Sequence, residues 1–161
     1  ISSAAAVAAV VSAGINGMDL GEALNLGQQI AQQAEAHGHW VAGGRIASRI
    51  SWARSISVDS DNALLADLLY DVIGTSVASQ ESVVVSFALA QQVAVGEMSA
   101  FDALCMAASL GGDTDTIAAI LGAMLGACLG LESWPVEMIE TVKTVNDLEL
   151  EPLVQGLLAL R

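Results

Sequence analysis

The densest group of oxygen-bearing side chains lies in the run Gly111-Gly112-Asp113-Thr114-Asp115-Thr116. Carboxylates and hydroxyls so closely spaced are hard donors of the kind that hold Mg²⁺ or Mn²⁺. The two glycines ahead of them can take backbone angles closed to other residues, which lets the side chains behind converge. The same residues also suit a helix start, where Asp and Thr are favoured caps and negative charge meets the positive end of the dipole. Both readings stand on spacing alone. Two acids and a threonine exceed what a cap requires, so Asp113, Asp115 and Thr116 are the candidate metal ligands.

Other groups have simpler readings. His37 and His39, with Glu35 nearby, fit dipole partners at a helix end better than a metal site. Arg45, Arg49 and Arg54 fall along one helix and are expected to pair with the many acids. Trp40, Trp52 and Trp134 read as packing anchors. Cys105 and Cys128 lie in apolar helical patterns and read as buried free thiols of a reducing, cytoplasmic compartment. Gly122, Gly126 and Gly130 recur at every fourth position, and with Ala119, Ala123 and Ala127 they predict a smooth face for close helix packing.

Helices must position these residues. Alanine fills 28 of 161 positions, and aromatics make up 4%, a mixture that favours packed helices over a sheet. Asp19 with Glu22 forms a capping box for a helix ending near His37-Gly38. Gly43-Gly44 precedes one from Arg45 to Ile56, and Asp59-Ser60-Asp61 caps another reaching Ile73-Gly74. A polar loop, Thr75–Gln80, leads to a helix opening at Glu81 and stopping at Gly96. Ser99 caps the next, ending at Leu110. Helices are further expected over Ser3–Ile15, over Thr114–Leu131, from Trp134-Pro135, and from Glu151-Pro152 to Arg161. No stretch alternates long enough for a strand, so the expected fold is all-α, with residues 1–161 as one domain.

Net charge and hydropathy exclude whole classes of partner. Eighteen acids against five bases give −13, which disfavours nucleic acid and anionic membranes. The 54% hydrophobic content belongs to buried helices, because the uncharged run Thr116–Leu131 falls short of the roughly 20 residues a membrane span needs. The chain opens at Ile1 inside a helix-like pattern, so a longer parent is expected.

The run Ser109-Leu110-Gly111-Gly112-Asp113-Thr114-Asp115-Thr116-Ile117-Ala118-Ala119-Ile120, followed by Gly122-Ala123 and Gly126-Ala127, resembles the C-terminal signature of the ADP-ribosylglycohydrolase family, which includes the dinitrogenase-reductase-activating glycohydrolases. Glu81-Ser82-Val83 and the closing Asn146–Arg161 segment are similar to that family as well. The resemblance implies a compact multi-helix fold, of which this chain is the C-terminal half. It also implies two Mg²⁺ or Mn²⁺ ions in the complete protein, and metal-assisted hydrolysis of an ADP-ribosyl glycosidic bond. Asp113, Asp115 and Thr116 match that family's C-terminal metal ligands, while Glu81, Ser82, Ser109, Gly111 and Gly112 would approach the substrate. The family's other ligands, a Thr/Ser-Asp-Asp cluster, and its acidic catalytic residue belong to the N-terminal half, so no residue here is assigned as catalytic. The implied partners are ADP-ribose or an ADP-ribosylated substrate and the missing N-terminal half, with self-association through an uncovered apolar face. The alternative is a non-catalytic binding or structural protein on the same fold.

Overall fold

The computed structural model describes residues 1–57 and 61–160. Its regular elements are helical, with no strand among the described residues: α1 (Ser2–Ile15), α2 (Leu20–Ala34), α3 (Ile46–Ser57), α4 (Asn62–Asp67), α5 (Ser82–Ala94), α6 (Ala100–Ser109), α7 (Thr114–Leu129), α8 (Val136–Asn146) and α9 (Glu151–Leu158). The chain is all-α.

Local chemistry explains most boundaries. The Asp19 carboxylate accepts from the Gly21 and Glu22 amides to start α2, and the Ser99 hydroxyl accepts from the Asp102 amide to start α6. Asp61 caps α4 through the Leu64 amide; the neighbouring candidates Asp59 and Ser60 lie outside the described residues, as does Arg161. The helix expected to run unbroken to Ile73 changes pitch. From Leu68 to Ile73 it is a π-turn, closed by the Gly74 amide donating to the Leu69 carbonyl at 3.0 Å. Leu65, Leu69 and Ile73 are all buried, and their strict spacing of four drifts around an α-helix. Winding more residues into each turn keeps Leu69 and Ile73 facing the core.

Helix α5 is the centre of the molecule. Every residue from Ser82 to Ala90 is buried, as expected of a helix that is apolar all round. It packs against α3, α6, α7 and α2, while α1 lies along α2 and α7. Phe87 is the largest fully buried side chain. Two buried polar side chains near α5 are paired: the Ser86 hydroxyl donates to the Ser82 and Ile117 carbonyls, and the Gln92 amide donates to the Ser57 carbonyl. Arg54 ties three helices together, donating to Gln91, Gln28 and Asn25, and its partial burial lowers its pKa.

Small residues let α1 approach its neighbours closely, though not where the glycine stripe on α7 predicts. A Cβ on Gly14 of α1 would lie 2.6 Å from the Cys128 sulfur and 2.8 Å from the Ala127 carbonyl carbon; on Gly27 of α2 it would lie 2.6 Å from Val10. A Cβ on Gly126 or Gly130 would meet nothing within 4 Å, and on Gly122 only Leu104 at 3.6 Å. The stripe is open, because the partner face of α7 is Ala127–Cys128, turned toward α1. Two further expectations are corrected. Cys105 is exposed and Cys128 only partly buried, since the core side of α6 is formed by Ala100, Ala103 and Ala107. Trp40 is 88% exposed, in the loop ahead of α3, while Trp134 does pack against the core.

Candidate metal centre

The Gly111-Gly112 turn is built for close approach. Gly111 and Gly112 stand at φ +89° and +75°, where side chains are strained. A Cβ on Gly112 would collide with the carbonyl and hydroxyl oxygens of Thr75, and one on Gly111 would lie 3.2 Å from the Tyr70 ring. Thr75 is buried, and its carbonyl accepts the Asp113 amide at 2.7 Å. The loop after the π-turn therefore holds the start of α7 in place.

Asp113 occupies the N-cap position of α7, yet its side chain makes no cap hydrogen bond. Asp115 instead accepts the Thr116 amide at 2.9 Å. Of the two roles open to the sequence, the simple cap is thus not taken by Asp113. Asp115 and Thr116 are exposed at the first turn, and Asp113 and Thr114 are half-buried beside them. Hard oxygens at one accessible helix start suit a divalent cation in donor type. Among the described residues, no group of three or more His, Cys, Asp or Glu side chains gathers to hold a metal ion. The fit is one-sided: two carboxylates and two hydroxyls at one helix start.

Glu81 belongs to the same end of the molecule. Its carboxylate accepts the Ser76 amide at 2.8 Å. Hydrogen bonding from the Ser76 side chain and backbone holds its pKa below the ordinary value, with the Arg49 charge adding to the effect. Gly74, at φ +90°, makes room: a Cβ there would lie 2.5 Å from a Glu81 oxygen. Arg49 clamps both ends of the loop, donating to the Ile73 carbonyl at 3.1 Å and to the Gln80 carbonyl at 2.8 Å. This bonding to neutral oxygens differs from the acid pairing expected of the arginines, which holds for Arg45 with Glu35 at 2.6 Å.

The structure thus links Gly111, Gly112 and Asp113 to the loop that Glu81 closes, through Thr75. Ser82 and Ser109 are less available. Ser82 is buried and its hydroxyl donates to the Ala78 carbonyl, whereas exposed Ser109 donates to Met106 within its own helix. Both His37 and His39 are exposed. Thr75, Ser76, Gly74 and Arg49 escape a reading by motif, because Thr75 acts through its carbonyl, Ser76 partly through its amide, Gly74 through the room it leaves, and Arg49 through bonds to backbone carbonyls. The glycine ahead of Thr75 is the one sequence signal that marks a tight passage there.

A family model described as ADP-ribosylglycohydrolase matches residues 1–161. The chain is also 29% identical over 150 residues to the uncharacterized protein YegU of Escherichia coli (strain K12), a match covering 92% of this chain and 44% of that protein. The chain therefore spans less than half the length of this curated relative. No solved structure matches it.

Proposed function

Because the chain belongs to the ADP-ribosylglycohydrolase family, we propose that it supplies one side of a dinuclear Mg²⁺ or Mn²⁺ site that hydrolyses an ADP-ribosyl glycosidic bond. The observation that carries this reading is the start of α7, where Asp113 forgoes the cap bond its position invites. Asp113, Asp115 and Thr116 would hold the metal, the two carboxylates offsetting its charge. Bound cations would supply charge stabilisation at the ribose and a means of orienting its hydroxyls and a water. Gly111 and Gly112, whose lack of side chains brings the turn against Tyr70 and Thr75, would lie beside the substrate. Glu81, kept ionised by Ser76, fixes the loop on which Thr75 anchors Asp113. The second set of ligands and the catalytic acid or base would come from the remaining length seen in the relative. The substrate would be ADP-ribose linked to a protein or small molecule, in the cytoplasm.

The test measures Mn²⁺ binding and release of ADP-ribose, using this chain and a longer form side by side. The chain alone is expected to bind metal weakly and to show no turnover, because a single carboxylate pair cannot offset two adjacent cations. In the longer form, Asp115→Asn is expected to lower metal affinity by at least the roughly 10–100-fold that losing even an outer partner costs, with little change in melting temperature. Full activity of Asp115→Asn at limiting metal would overturn the assignment. Metal binding by the longer form without any ADP-ribose release would favour the non-catalytic reading.

A further inference from the structure

Helices α8 and α9 carry no buried residue. They stand off the body and leave a groove of about 820 Å³ against α6 and α7, lined by Leu104, Gly122, Trp134, Met138, Val142 and Leu150 among others. Met138 is 47% exposed and Val142 53%. An apolar surface of this extent, rimmed by charge, marks an interaction site. Its rim is mainly acidic, with Lys143 as the base among its lining residues. Glu149 and Glu151 line the groove itself, and Glu132, Glu137, Glu140 and Asp147 lie on the same arm. The arm's Lys143 is paired with Glu140 at 3.8 Å.

We propose that this groove docks an amphipathic helix of a partner protein, with its apolar face in the groove and Lys or Arg along both flanks. The acidic rim complements a basic flank and repels an acidic one. A second copy of this chain is therefore a poor occupant, since each would bring a net charge of −13. Peptide addition to a sheet edge is unavailable, there being no strand among the described residues. Helix-in-groove docking remains. The floor suits it: Gly122 presents almost bare backbone, with only Leu104 near where a Cβ would stand, so a partner helix can come close to α7.

The experiment uses the chain and three labelled peptides. The first is a helix of Leu and Lys with the leucines on one face, the second replaces every Lys by Glu, and the third replaces every Leu by Ser. Fluorescence anisotropy is expected to show the Leu–Lys peptide binding at least about tenfold tighter than either control, with affinity falling as salt rises. Met138→Asp and Leu150→Asp, both at exposed positions, are expected to reduce binding about tenfold or more at an unchanged melting temperature. Equal binding of the Lys and Glu peptides, or undiminished binding by both variants, would overturn the proposal. So would a dimer of the chain that Met138→Asp dissolves, which would make a second copy the occupant. Failure of a longer form of the protein to bind a peptide that this chain binds would give the groove to the additional segment instead.

Discussion

At Glu81 two hydrogen bonds from one serine converge on a single carboxylate and depress its pKa. Stability from such a group is fully present above the ordinary glutamate range near ~4.3 and is lost as pH falls through the lower, folded-state value. Glu81→Gln is therefore expected to lower the urea midpoint at neutral pH. The gap to the unaltered chain should close as the pH drops through the acid range. A gap that persists undiminished well below that range would assign the loss to shape, not charge. Gly112 is a second residue whose role is local and steep. Alanine there is strained at φ +75° and strikes Thr75, so Gly112→Ala is expected to cost about 1–3 kcal/mol, measured by denaturant unfolding. The Gly-Gly-Asp-x-Asp-Thr spacing was legible because all its atoms are neighbours in sequence. Thr75 was not: what holds Asp113 is a carbonyl, and every residue type has one.

Between elements the contrast is between two glycines on touching helices. A Cβ on Gly14 would press on the backbone of α7, while one on Gly126 would meet open space. Gly14→Ala is expected to lower stability by about 1–3 kcal/mol through overpacking, and Gly126→Ala to raise it by up to about 1 kcal/mol through helix propensity. Thermal melts of the two variants, expected to move in opposite directions, check both. Helix starts at Asp19, Asp61 and Ser99 could be read from sequence because a cap is a side chain bonding a few residues ahead. Which face of α7 meets α1 could not. Alanine and glycine occur on several of its faces, and periodicity names a smooth face without naming its partner. The π-turn at Leu68–Ile73 was hidden for a related reason, since a spacing of four suits an α-helix over one step.

For the molecule as a whole, burial and basic charge are both unevenly placed. The packed body is built on α5, whereas α8 and α9 contribute nothing to its interior. The few bases divide along the same line. Arg45, Arg49 and Arg54 are engaged with Glu35, with the loop carbonyls and with side chains of α2 and α5. Lys143 sits in α8. A protease selective for basic residues needs a segment that opens locally to enter its cleft, and helices without buried contacts open most readily. Brief digestion with trypsin should therefore cut first after Lys143, leaving the body intact from Ile1 onward, as mass spectrometry of the first fragments would show. Early cuts after Arg49 or Arg54 would mean that the body loosens before the arm. With no lysine or arginine between Arg54 and Lys143, the stretch carrying α5, the Gly-Gly turn and Asp113 should survive such digestion in one piece, a ready-made minimal fragment.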